Sequence, residues 1–215
     1  MCGRFANHVD DMRRWVDLLR QWPLDLVTGY NVAPTQQVPV VIGEGVHAMR
    51  WGLVPAWSKE DAPRFATFNA RLESVAEKPA FRNAWRNRQN CLVPVLGYYE
   101  WIGDGGRKQP YFVHHPDGEP LVMAGLWEQR GEQLSFTVLT EQATAPMAGL
   151  HHRMPVMCSL EHAEAWLVGE YRFEPVATTE LRVPMAYYPV SPAVNNARNQ
   201  GPALIEPLED ETPEE

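Results

Sequence analysis

The chain lacks the features that mark membrane, secreted and zinc-stabilised proteins. No run of 18 apolar residues occurs, so no membrane span is expected. The start, MCGRFANHVDDMRRW, has no charged opening followed by an apolar stretch, and is not read as a signal peptide. Cys2 stands where a myristoylation signal needs glycine. Cysteine is scarce: Cys2, Cys91 and Cys158 lie far apart and no C-x-x-C pair exists. That argues against a disulfide framework or a structural zinc site and points to free thiols in a reducing cytoplasm. Lysine is scarcer still, 3 residues against 16 arginines. The planar arginine fork suits phosphate, although a GC-rich genome produces the same skew.

The formal charge of −8 speaks against a nucleic-acid partner at first sight. Residues 206–215, however, hold six acids and no base; without them 21 acids face 19 bases. The body is nearly neutral, and residues 208–215 are read as an acidic, disordered tail behind a single domain over 1–207. With 45% apolar residues that domain can bury a real core.

Hydrophobic spacing predicts a helix between Asn7 and Pro23, with Met12, Trp15, Val16, Leu19 and Trp22 on one face. VPVVI and VHAMRW flank Gly43-Glu44-Gly45 as a hairpin. A short helix is expected after Asn69-Ala70-Arg71, and another turn from Pro79 to about Arg88. CLVPVLGYYEW and QPYFVHH bracket a second hairpin turn, and LVMAGLWE and LSFTVLT a third. Ser159 is expected to cap a helix with Ala163, Trp166 and Leu167 inward, and AYYPV is a last strand. Few helices and many tightly linked strands predict an α+β domain on a mainly antiparallel, barrel-like sheet.

The most informative feature is the Met-Cys start. Methionine is trimmed when the next residue is small, which would leave Cys2 with a free amine beside its thiol. The ordinary pKa values of these groups, about 7.7–8 and about 8.5, lie near neutrality. Such a 1,2-aminothiol reacts with an aldehyde first as an imine and then by closure of the thiol on the imine carbon, giving a stable thiazolidine. On its own, cysteine at position 2 carries little weight.

Eight short motifs stand in order: Cys2-Gly3-Arg4-Phe5, Asn31-Val32-Ala33-Pro34-Thr35-Gln36, Trp51-Gly52-Leu53-Val54-Pro55 with Trp57, Asn69-Ala70-Arg71 with Glu73, Gly97-Tyr98-Tyr99-Glu100-Trp101, Lys108-Gln109-Pro110-Tyr111, Ala124-Gly125-Leu126-Trp127-Glu128, and His151-His152-Arg153-Met154-Pro155. Together they resemble the SOS response-associated peptidase (SRAP) family, the YedK/HMCES-type proteins. Val194-Asn195-Asn196 and Asn199-Gln200-Gly201-Pro202 extend the match to about Pro207. The resemblance implies a cytoplasmic bacterial monomer that needs no cofactor or metal. Its partner would be single-stranded DNA containing abasic sites, to which it crosslinks through a thiazolidine. By the same resemblance Cys2 is the nucleophile, Asn69 holds the N-terminal residue, Glu100 moves protons, and His151 assists sugar ring opening and crosslink reversal.

Each role has a plainer competitor. Glu100 in an aromatic strand is desolvated enough for proton transfer, or is a surface glutamate. His151 is a proton carrier, a hydrogen-bonded core histidine, or half of a metal pair with His152, which lacks a third ligand; in an extended segment His152 would point the other way. Asn69 is also a plausible helix N-cap. Arg4, Arg71 and Arg153 are expected phosphate ligands, against surface ion pairs of little worth. Pro34 and Trp57 are expected to wedge or stack beside the lesion, with Trp57 equally at home in a core, where Trp51, Trp101 and Trp127 are placed. The stretch from Arg71 to Cys91 matches the family less closely; Arg82 is only a candidate there. Cys91 and Cys158, in apolar runs, are expected to be buried and inert. Two other functions stay open: a thiol (auto)peptidase, and a non-covalent single-strand binding module.

Overall fold

The computed structural model describes residues 2–8, 28–43, 45–59, 66–103, 108–174 and 180–208. The expected helix between Asn7 and Pro23 and the acidic tail fall outside them, except for His8 and Leu208.

Five strands close into a barrel: β2 (Gln37–Ile42), β3 (Gly45–Trp51), β5 (Asn90–Val95), β8 (Leu121–Arg130) and β9 (Gln133–Gln142). The order β9-β3-β2-β5-β8 returns to β9 through the β8–β9 hairpin. All these pairings are antiparallel except β3 with β9. Short β4 (Asn69–Arg71) also lies parallel to β9, and β10 (Arg153–Pro155) pairs beside it.

Alternation explains the closure. Val38, Val40, Cys91, Val93, Leu121, Met123, Phe136 and Val138 point to one cluster with Trp51. Their neighbours Val41, Leu92, Val122, Ala124 and Leu139 point to another. That second cluster holds the helices α1 (Arg82–Arg86) and α2 (Leu160–Leu167) through Ala84, Ala163 and Trp166. It is therefore the outer face, and the first is the barrel interior. Ser159 sits at the cap position of α2, but its hydroxyl goes to the His162 ring (2.8 Å).

A second, four-stranded sheet runs β1 (Phe5–Ala6), β6 (Gly97–Ile102), β7 (Gln109–His114) and β11 (Ala186–Pro189). Here the structure divides what reads in sequence as one strand. CLVPVLGYYEW breaks at Leu96, leaving β5 in the barrel and β6 in the other sheet. Leu96 donates its N–H to the Ala6 carbonyl at 2.7 Å. At Gly97 a Cβ would run into the Val113 carbonyl and the Phe112 ring, so only glycine lets β6 approach β7.

The N-terminus is thereby built into the fold. Phe5 pairs with Tyr98, and its N–H and carbonyl both bond Val32 (3.1 and 2.8 Å). The Asn31 amide donates to the carbonyls of Val194, Asn196 and Asn199 at 3.2, 3.0 and 3.0 Å. Among the described residues no helix is long and apolar enough to cross a membrane.

Candidate functional site: a buried cysteine beside a cation-flanked groove

Cys2 lies just before β1 and is wholly buried in the barrel cluster with Phe5 and Tyr98. Its carbonyl accepts a 2.7 Å bond from Asn69 Nδ2, which fixes the N-terminal residue against the start of β4. Asn69 opens a strand rather than capping a helix. Asn69 Oδ1 is buried and accepts nothing from the described residues. A buried acceptor left open is costly, and it suits a donor arriving from outside.

The Cys2 thiol differs from its expected near-neutral state. Burial pushes its pKa far up, and the Glu100 carboxylate adds to this; the terminal amine pulls back only in part. At neutral pH it is a protonated thiol, 3.8 Å from the Arg4 carbonyl. Cys91 and Cys158 are likewise buried, and burial pushes Cys158 up to about 12.

Glu100 stands two residues after Tyr98 on the same face of β6 and is 4% exposed. Burial raises its pKa above the ordinary carboxylate value. The charge and hydrogen bond of the terminal amine and the Trp101 backbone hold that rise back. A desolvated carboxyl is suited to exchanging a proton with a group brought beside it.

His151 follows a single helical turn at Met147–Gly149 and precedes β10. The Arg153 backbone N–H donates to its Nδ1 at 2.9 Å. Nδ1 is thus an acceptor, and the neutral ring carries its proton on Nε2. Burial lowers its pKa, as do the charges of the terminal amine and His152. His152 does not point away. The chain bends there rather than extending, and the two rings stack at 4.2 Å. Among the described residues no group of three His, Cys, Asp or Glu is placed to hold a metal ion.

Next to Asn69 a groove of about 420 Å³ is walled by Trp57, Arg71, Lys78, Pro79 and Phe81. Trp57 is 56% exposed, not core. Trp51 is fully buried, whereas Trp101 and Trp127 are half-buried at the core's edge. Arg71 is exposed on the groove.

The other two arginines are already engaged. Arg153 grips Glu73 with both ends of its fork (2.6 and 2.8 Å) and donates to the Thr140 carbonyl at 2.5 Å. Burial pushes the Glu73 carboxyl up, but bonds from Arg153 outweigh this and hold it below its usual value. Arg4 donates to Asn31 Oδ1 (2.7 Å) and the Val194 carbonyl (3.0 Å) and lies over the Trp101 ring. Both arginines therefore brace the site's frame in this structure. Pro34 is half-buried and, like the exposed Arg82, does not line the groove. Lys78 and Phe81 carry no sequence signal of their role, because they reach the groove from the stretch that matches the family least well.

Arg153→Met is expected to lower stability by about 2 kcal/mol, since it strips charge-assisted bonds from a side chain only 10% exposed. Glu73→Gln, on a partner 42% exposed, is expected to cost less. Urea titrations of the two variants check this ranking.

The model of the family described as SOS response associated peptidase (SRAP) matches residues 1–197. The chain belongs to the SRAP family. This SRAP chain is 32% identical to the abasic site processing protein YedK of Escherichia coli, over 97% of this chain and 100% of that one. It is 30% identical to the abasic site processing protein YoaM of Bacillus subtilis, over 96% of this chain and 98% of that one. The abasic site processing protein HMCES of Gallus gallus is 35% identical, over 86% of the SRAP chain and 68% of its own length. A solved structure of a protein from Bacteroides thetaiotaomicron shares the fold, with a TM-score of 0.79 at 24% identity over 97% of this chain and all of that one.

Proposed function

We propose that the protein processes abasic sites in single-stranded DNA and, once Met1 is removed, crosslinks to them through Cys2. The amine of Cys2 attacks the aldehyde carbon of the ring-opened sugar and water leaves, giving an imine. The thiol then adds across the C=N bond: sulfur binds carbon and its proton passes to nitrogen. One water is lost in all, and nothing is oxidised or reduced.

The observation that carries this reading is the 2.7 Å bond from Asn69 to the Cys2 carbonyl, because Asn69 is also a wall of the cation-flanked groove. One residue thus joins the reactive terminus to a channel suited to a phosphate backbone. The surrounding groups support the order of steps. A protonated, buried thiol is a poor first nucleophile and a poor peptidase thiolate, whereas Glu100, near enough for its charge to raise the Cys2 thiol, suits the role of base for the amine that Met1 removal would free. His151, neutral with its proton on Nε2, suits proton donation during sugar ring opening. The exposed Trp57 offers a face on which a base stacks.

Mass spectrometry after incubation with an abasic oligonucleotide tests the proposal. The expected product is the sum of both masses less one water, on a chain without Met1. An unmodified N-terminal peptide after complete incubation would refute it.

Binding to an intact single strand is expected to weaken as salt rises, through release of counterions by Arg71 and Lys78. Arg71→Ala should reduce the slope of log K against log salt by about 0.7, the contribution of one phosphate contact on a single strand. An unchanged slope removes Arg71 from the interface.

A further inference from the structure

Trp57 sits in a short turn outside regular structure, yet its backbone is fastened at four points. Val54 N–H donates to Ser135 Oγ at 2.8 Å. Ala56 N–H donates to the Glu128 carboxylate at 2.5 Å. On the far side of Trp57, Arg130 donates to the carbonyls of Ser58 and Lys59 at 2.8 and 3.4 Å. The turn also closes on itself, Ser58 N–H to the Pro55 carbonyl at 2.8 Å.

All three anchoring side chains come from one face of one hairpin. Glu128 and Arg130 are two apart on β8, and Ser135 on β9 lies directly opposite Glu128. Glu128 is 2% exposed and also accepts the Ala84 N–H in the first turn of α1. That turn follows Pro79 and Phe81, which line the same groove as Trp57. One buried carboxylate therefore ties down the Trp57 turn and the helix that follows the groove-lining Pro79 and Phe81.

We propose that the β8–β9 hairpin is a clamp, with Ser135, Glu128 and Arg130 as positioning residues that hold the Trp57 turn as a preformed stacking wall for a nucleobase. This rests on the reading that the groove receives single-stranded DNA. Its physical basis is preorganisation. An exposed indole on a loose turn loses backbone freedom when a base stacks on it, and that loss reduces affinity. A turn already bonded on both sides of the indole has little left to lose. The clamp residues touch no DNA themselves.

The test uses the full chain and a fluorescently labelled oligothymidylate without a lesion, so that only non-covalent binding is read, by anisotropy. Arg130→Ala combined with Ser135→Ala is expected to weaken binding about tenfold, the scale of one lost base–aromatic stack. In a Trp57→Ala background the same pair should add less than about twofold, because the clamp acts only through the indole. Glu128→Gln, which keeps shape and volume, should speed hydrogen exchange at the Ala56 amide and weaken binding in the same Trp57-dependent way.

Losses that multiply in the triple variant would overturn the proposal, since they mean a general structural defect. So would clamp variants that bind like the parent while Trp57→Ala binds weakly. If Trp57→Ala itself binds like the parent, the stacking role given to Trp57 above fails and the clamp has nothing to position.

Discussion

Replacing Cys2 with alanine is expected to abolish every heat-stable adduct with an abasic oligonucleotide while leaving the protein folded. Alanine is also small, so Met1 is still removed and the amine is still available. An imine to the sugar aldehyde can form, but no sulfur closes the ring, and the imine hydrolyses on heating. Borohydride reduction should therefore still capture a complex with the alanine variant. That contrast separates the two steps: capture with borohydride reports the amine, and survival of heat reports the thiol. Sγ is fully buried, so its removal costs about 1 kcal/mol of packing, too little to unfold a typical domain. A heat-stable adduct retained by Cys2→Ala would place the chemistry elsewhere in the chain.

Glu100→Gln is expected to slow crosslinking about 10²–10³-fold at neutral pH, within the range of a lost general base. The pH dependence of the ratio between parent and variant rates is the sharper measurement. Burial raises the Glu100 pKa, so the carboxylate that accepts the proton is present only above that raised value. As pH falls through it, the parent loses its base, and the ratio should collapse towards one above the ordinary carboxylate range. His151 works in the opposite sense. Burial lowers its pKa, so the ring stays neutral to lower pH than an ordinary histidine. A ratio constant across the whole range would remove Glu100 from proton transfer.

Much of this was legible in the chain because its signals are local. The hairpins around Gly43 and after Arg130 show as period-two runs separated by polar turns, and both are present as β2–β3 and β8–β9. The Met-Cys start and the GYYEW motif mark Cys2 and Glu100 within the chain itself. What stayed hidden depends on distance along the chain. The break at Leu96 leaves no mark, because the residues of β5 are buried on both faces and β6 continues the same apolar run. Arg153 looks like a phosphate ligand by position, yet its fork is taken by Glu73, 80 residues away. The stacking of His152 on His151 depends on a bend that an extended reading misses. Glu128 reads as one more residue of a strand motif, and only the register opposite Ser135 gives it a place under the Trp57 turn.

The ties from Arg4 and Asn31 to Val194, Asn196 and Asn199 also bear on when the protein becomes competent. Arg4 meets its carbonyl partner 190 residues later in the chain. At ordinary translation speeds that separation is on the order of ten to forty seconds of synthesis. The front end of a nascent chain therefore emerges long before the groups that lock its frame exist. The frame around the N-terminal segment is therefore complete only once residues 194–199 have been made.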